Sequence, residues 1–98
     1  MAIVFNIGMF DKDTKKQELD KSYFINEIAK RVDCTISDTV GIYKHEDGTR
    51  VIEPSLEVTC YDITLKKARQ IAKRLCKRLN QECIVVSEKE IVADFIYG

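Results

Sequence analysis

The 98-residue sequence predicts an α+β fold of the ferredoxin-like βαββαβ type, with two helices on one face of an antiparallel sheet. Three observations carry this reading. Segments that alternate apolar and polar residues are interleaved with segments whose apolar residues recur every three or four positions, in the order strand, helix, strand, strand, helix, strand. An Asp-Gly pair joins the two middle strands. Hydrophobic residues make up 45% of the chain and charged residues 33%, the balance of a globular chain, and the length leaves no room for two cores. Residues 1–98 are therefore expected to form one domain, in which each amphipathic helix buries its stripe against the sheet.

Ala2 to Phe10 reads as the first strand, because Ile3, Phe5, Ile7 and Met9 alternate with Ala2, Val4, Asn6 and Gly8. Asp11 to Glu18 is polar throughout and reads as a loop. Asp20 stands where an N-cap belongs, with Leu19 and Phe24 spaced as a hydrophobic staple. Phe24, Ile28 and Val32 continue as an amphipathic helix to about Asp33. Thr35 to His45 is the second strand, with a bulge allowed at Gly41. Glu46 to Thr49 is the hairpin turn and Arg50 to Tyr61 the returning strand, with Ile52, Leu56, Val58 and Cys60 on one face. Pro54 fits that strand only where its missing N–H meets an edge or a bulge. Thr64 caps a second helix from Leu65 to Leu79, and Cys83 to Ser87 is the fourth strand. Ile91, Ala93, Phe95 and Tyr97 alternate, which predicts a short terminal strand; Ser87 with Glu90 offers a capping box for a helix instead. The sheet order for this topology is 4-1-3-2, and its helix-free face is left open to a partner or a second copy.

No apolar run approaches the roughly 20 residues of a membrane span, and the first residues lack a charged region and a small-residue cleavage site. Cys34, Cys60, Cys76 and Cys83 form no C-x-x-C pair, and one histidine does not complete a zinc set. Cys60, Cys76 and Cys83 read as small buried hydrophobes with reduced, unreactive thiols. Neither cofactor nor metal is expected, and the cytoplasm is the expected compartment.

A net charge of zero hides an uneven distribution. The second helix carries Lys66, Lys67, Arg69, Lys73, Arg74, Lys77 and Arg78 and no acid, while residues 1–64 carry eight basic and twelve acidic groups and residues 80–98 one and four. At about 100° per residue, Leu65, Ala68, Ile71, Ala72, Leu75, Cys76 and Leu79 share one arc and the seven cations the other. Such a ridge suits nucleic acid, an acidic protein or a multiply charged ligand; a solvated face balanced by nearby acids has the same pattern. No aromatic residue is interleaved with the cations, which disfavours single-stranded nucleic acid.

The topology brings the end of the first strand, the hairpin and the start of the fourth strand to one rim. Asp11, Asp13, Lys15, Lys16, Gln17, Glu18, His45, Gln81 and Glu82 should meet there, with Asp47 and Arg50 close by. Carboxylates beside a histidine suit a divalent metal or general acid–base chemistry. Nearby lysines would lower those carboxylates, which makes poor general acids of them, and the residues match no metal-binding spacing. No nucleophile elbow, P-loop or dinucleotide fingerprint is present.

Three separated segments resemble signatures of a family of small phage and prophage proteins without an assigned activity. They are Asn6-Ile7-Gly8-Met9 with Asp11 to Glu18; Thr35-Ile36 with Gly41 to Gly48 and Val51-Ile52-Glu53; and Leu79 to Glu82. The resemblance implies a small protein acting in the host cytoplasm. Its leading form is a binding or inhibitory protein rather than an enzyme, possessing an anti-CRISPR-like activity against a host protein or ribonucleoprotein complex, or sequestering nucleic acid or a charged small ligand. The competing readings are a metal-dependent phosphodiester hydrolase built on the rim acids and His45, and a structural module that dimerises through the open sheet face.

Overall fold

The computed structural model describes residues 1–44 and 46–98; His45 lies outside the described residues. The chain runs β1 (Ala2–Gly8), α1 (Lys21–Ala29), β2 (Thr35–Lys44), β3 (Arg50–Cys60), α2 (Leu65–Arg78) and β4 (Val85–Lys89). The sheet order is β2-β3-β1-β4 with every neighbour antiparallel. This is the predicted α+β arrangement, compatible with a ferredoxin-like fold.

Alternation decides what each sheet face does. Ile3, Phe5 and Ile7 of β1 pair with Cys60, Val58 and Leu56 of β3. These six pack with Phe24, Ile28, Ala68, Ile71, Ala72, Leu75 and Leu79 of the helices in one core. Asn6 and Gly8 take the opposite face, with Glu57 and Ser55. Pro54 sits inside β3 at no cost to the ladder. Its carbonyl accepts the Met9 N–H at 3.0 Å, so its nitrogen faces the same side, where β1 has already ended. No bulge forms at Gly41: the pairs Val40–Pro54, Gly41–Glu53 and Ile42–Ile52 run on without interruption.

Several expectations are corrected. Asp20 makes no side-chain cap; its backbone carbonyl takes the N–H groups of Tyr23 and Phe24 instead. α1 closes at Ala29, although two turn bonds to the Ile28 carbonyl still carry Val32 into the core. β4 starts two residues later than expected, because Gln81 to Cys83 are taken up in leaving α2. Residues 90–98 form neither strand nor helix. Val92 and Ile96 spoil the alternation by being apolar on the other set. Phe95 instead meets Tyr61 edge-on, ring centres 6.2 Å apart, while Val92 is 95% exposed. Among the thiols, Cys60 is buried and Cys76 half-buried, but Cys83 is exposed because it falls in the turn before β4. Burial pushes the Cys60 thiol up to about 11 and raises Cys34 and Cys76 as well.

Candidate active site

The rim is built by the end of α2. Leu79 closes the helix and Asn80 turns into the left-handed region at φ 48°. The Gln81 N–H bonds the Cys76 carbonyl at 2.8 Å and the Asn80 N–H that of Lys77 at 3.4 Å, which is a Schellman closure with asparagine in the glycine position. The turn aims two amides at the loop after β1. Asn80 Nδ2 donates to Asp11 at 2.8 Å and to Asp13 at 2.9 Å, and Gln81 Nε2 donates to the Phe10 carbonyl at 3.0 Å. The hairpin joins from the third side, where the Glu46 N–H donates to Glu82 at 3.2 Å.

Asp13, Lys15, Gln81 and Glu82 are thus brought together with Lys12, Glu46 and Asp47 around a hollow of about 290 Å³, and Asp11 joins them through the Asn80 amide. Lys16 enters only through its carbonyl, which takes the Asp11 N–H. Gln17 turns back to the Leu19 carbonyl, and Glu18 is exposed on the same loop. The Asp11 carboxyl lies below its ordinary value chiefly because of the Asn80 amide; burial opposes this, and the Asp13 and Thr14 N–H groups add to it, with Lys12 the smallest cause. The expected lowering is present there, but an amide rather than a lysine is its main source. Among the described residues no three metal-binding side chains form a cluster.

The chemically distinctive group is one that the sequence names only within the second family-like segment, without a place among the rim residues. Glu53 is 4% exposed although it lies on the helix-free face of β3. Its carboxylate accepts the Phe10 N–H at 2.8 Å, just past the end of β1. Gly8 makes this possible, since a Cβ there would come within 2.6 Å of Glu53 Oε1. Gly41 does the same for Tyr43, whose ring folds back over it where a Cβ would overlap. Glu53, Tyr43, Gly8, Asn6, Phe10 and Glu82 line a cavity of about 160 Å³, completed by Lys44, Gln81, Cys83 and Val85. The signal was available: two glycines each opposite a larger residue on a sheet face that otherwise reads as polar surface.

On the other side of the sheet, all seven cations of α2 are exposed. Lys67, Lys73, Arg74 and Lys77 line a groove shared with Lys30 and Arg31 of the α1 end. Arg78 instead pairs with the buried Glu27 at 2.9 Å. Lys66 and Arg69 are exposed outside that groove.

Comparison with known proteins gives this geometry a chemical context. The sequence model of the S-adenosylmethionine lyase family matches residues 7–97. The chain belongs to the S-adenosylmethionine lyase family. No curated protein sequence matches it. Among solved structures, a phage SAM lyase in complex with S-methyl-5'-thioadenosine is similar with a TM-score of 0.69 and 19% identity, over 87% of this chain and 76% of that one. A phage SAM lyase in its apo state is similar with a TM-score of 0.57 and 18% identity, over 95% and 83%. At these identities the likeness is one of fold.

Membership of the S-adenosylmethionine lyase family corrects the functional expectations. The resemblance to small phage proteins stands, but their family is one of enzymes with a named substrate, not one without an activity. The non-enzymatic inhibitory role, its anti-CRISPR-like form and the host protein or ribonucleoprotein complex as its target are overturned, because the family is named for a reaction on a small molecule. The phosphodiester hydrolase and the plain structural module fall on the same finding. Among the described residues no helix is long and apolar enough to cross a membrane.

Proposed function

We propose that this protein cleaves S-adenosylmethionine with release of methylthioadenosine, in the cavity around Glu53 and Tyr43, within the host cytoplasm. The observation that carries the reading is an enclosed carboxylate beside an aromatic ring, held by two glycines, in a member of a family that acts on a sulfonium. S-adenosylmethionine carries a sulfonium, an ammonium and one carboxylate. Glu53 and Glu82 match its excess positive charge, Lys44 its carboxylate, and Tyr43 and Phe10 offer ring faces to a cation or to adenine. The cavity is smaller than the roughly 300–1,000 Å³ that encloses a whole small ligand, so the substrate reaches out over the hairpin lip.

When the sulfur–carbon bond breaks, its electron pair returns to sulfur, the sulfonium becomes a neutral thioether, and the carbon it leaves takes its new bond from the substrate's own carboxylate oxygen, closing a lactone without a co-reactant. The leaving group needs no proton, so the step asks for no general acid. Positive charge on sulfur is lost toward the transition state, and a carboxylate set against that sulfur would hold the substrate back. Glu53 therefore serves a part of the substrate whose hydrogen-bond donors persist through the step, a hydroxyl or the ammonium, and fixes the position from which sulfur departs.

The test is chromatography of S-adenosylmethionine incubated with the purified protein. Methylthioadenosine should accumulate, and Glu53→Gln should slow it at least about tenfold, or ~1.4 kcal/mol, with the fold retained by circular dichroism. An unchanged S-adenosylmethionine pool after prolonged incubation with the wild-type protein would remove the reading.

A further inference from the structure

The groove between the helices is not used by that chemistry. Lys30, Arg31, Lys67, Lys73, Arg74 and Lys77 line it with Gln70 and Ile71, around about 710 Å³. Six cations and no carboxylate face this space. Most charged surfaces interleave the two signs, and α2 does not: from Leu65 to Arg78 it contains no acid. The one acid beneath, Glu27, is spent on the α1 side and the far end. It holds Lys30 at 2.7 Å, Arg31 at 3.4 Å and Arg78 at 2.9 Å. Among the described residues no ion pair engages Lys67, Lys73, Arg74 or Lys77. These four run along one flank of α2 over eleven residues, ten steps or about 15 Å at 1.5 Å per residue. Repulsion between Lys73 and Lys77, four apart, is a cost of a few tenths of a kcal/mol; the C-terminal end of the helix eases it at Lys77, and an anion outside the chain would relieve it further.

We propose that this groove binds the phosphate backbone of a nucleic acid duplex, independently of base sequence. The chemistry selects that partner. A row of flexible cations without a planar acceptor set reads phosphates, not base edges. No aromatic side chain lines the groove to stack a base, which separates it from a single-strand channel. A duplex presents about one charge per 1.7 Å of axis, enough to meet all four unengaged cations along 15 Å. The groove lies on the helix side of the sheet, while Asn6, Gly8 and Glu53 open on the helix-free side. A duplex bound to the helices therefore leaves the substrate cavity accessible.

Fluorescence anisotropy with a labelled DNA duplex of about 20 base pairs, titrated at several KCl concentrations, tests this. Log affinity should fall against log salt with a slope of about −3.6, four phosphates at about −0.9 each, and Lys73→Gln should make it shallower by about 0.9. The combination K73E/R74E/K77E should weaken binding more than about a hundredfold while the melting temperature holds, and Lys66→Glu, outside the groove, should change it far less. Methylthioadenosine release should be the same in the triple variant as in the wild type, whichever level it has. Absence of duplex binding at low salt, binding unaffected by the triple reversal, or equal affinity for a single strand or for polyglutamate would each overturn the assignment.

Discussion

Gly8 and Glu53 constrain one another, and this pair shows how a single missing methyl group can create a site. The contact a Cβ would make at Gly8 is with the end of a side chain, which can swing away. Gly8→Ala should therefore cost the fold little, about the 0.5–1.5 kcal/mol of the hydrogen bond from the Phe10 N–H, as read by urea denaturation. Methylthioadenosine release should fall much further, because the displaced carboxylate no longer stands in the cavity; equal losses in both measurements would contradict this. Glu27 is the opposite kind of buried acid, one that serves stability. Hydrogen bonds from Lys30 and then Arg78 bring its pKa from 4.5 to about 2 against the opposing effect of burial. A folded-state pKa below the unfolded one gives stability that is complete above about 4.5 and is lost as pH falls toward about 2. Denaturation midpoints should fall over that window, and Glu27→Gln should flatten the fall while lowering stability at neutral pH.

At the scale of elements, α2 is held at both ends by local chemistry. The Thr64 hydroxyl accepts the Lys67 N–H at 3.1 Å, as the sequence predicts. Thr64→Ala should cost about 1 kcal/mol in denaturant midpoint, without changing methylthioadenosine release. At the other end Asn80 combines a left-handed backbone with two bonds to Asp11 and Asp13. Asn80→Gly keeps the turn and loses those bonds, so it should loosen the rim more than the helix. The helices were legible because each has one apolar arc, and β1 and the proximal part of β3 because one alternate set of each is wholly apolar. Residues 91–97 misled because their alternation is incomplete: Val92 and Ile96 put apolar side chains on the second set as well, so neither set marks a polar face. The site was only half legible. Of the residues that line the cavity, Gln81 and Glu82 are polar residues in a loop and stand out, whereas Glu53 and Tyr43 lie in strands and read as solvent-facing partners of the alternation.

The whole molecule is long, 47 Å by 24 by 22, and its stability and its chemistry occupy different ends. Ile3 to Ile7, Leu56 to Cys60 and both helices form the core. Beyond the Gly8–Ser55 pair the sheet narrows to β2 and β3 alone. On the face that elsewhere packs against helices, Val40, Ile42 and Ile52 are 73%, 62% and 69% exposed. A two-stranded ribbon without cover is marginal by itself, and this stretch carries Tyr43, Lys44 and Glu53 to the cavity. Native-state hydrogen exchange should resolve the two ends. Hydrogen-bonded amides within Val4–Ile7 and Leu56–Thr59 should exchange only through global unfolding, and those within 42–44 and 50–52 at least about a hundredfold faster, ~2.8 kcal/mol at 1.4 per tenfold. Because the cavity is closed on one side by this ribbon, saturating methylthioadenosine should slow exchange in 42–44 and 50–52, by a factor that approaches 1 + [ligand]/Kd. It should leave the α2 amides no slower than the rise in global stability requires. Protection confined to α2, with none in the ribbon, would place the ligand on the wrong side of the sheet and move the active site with it.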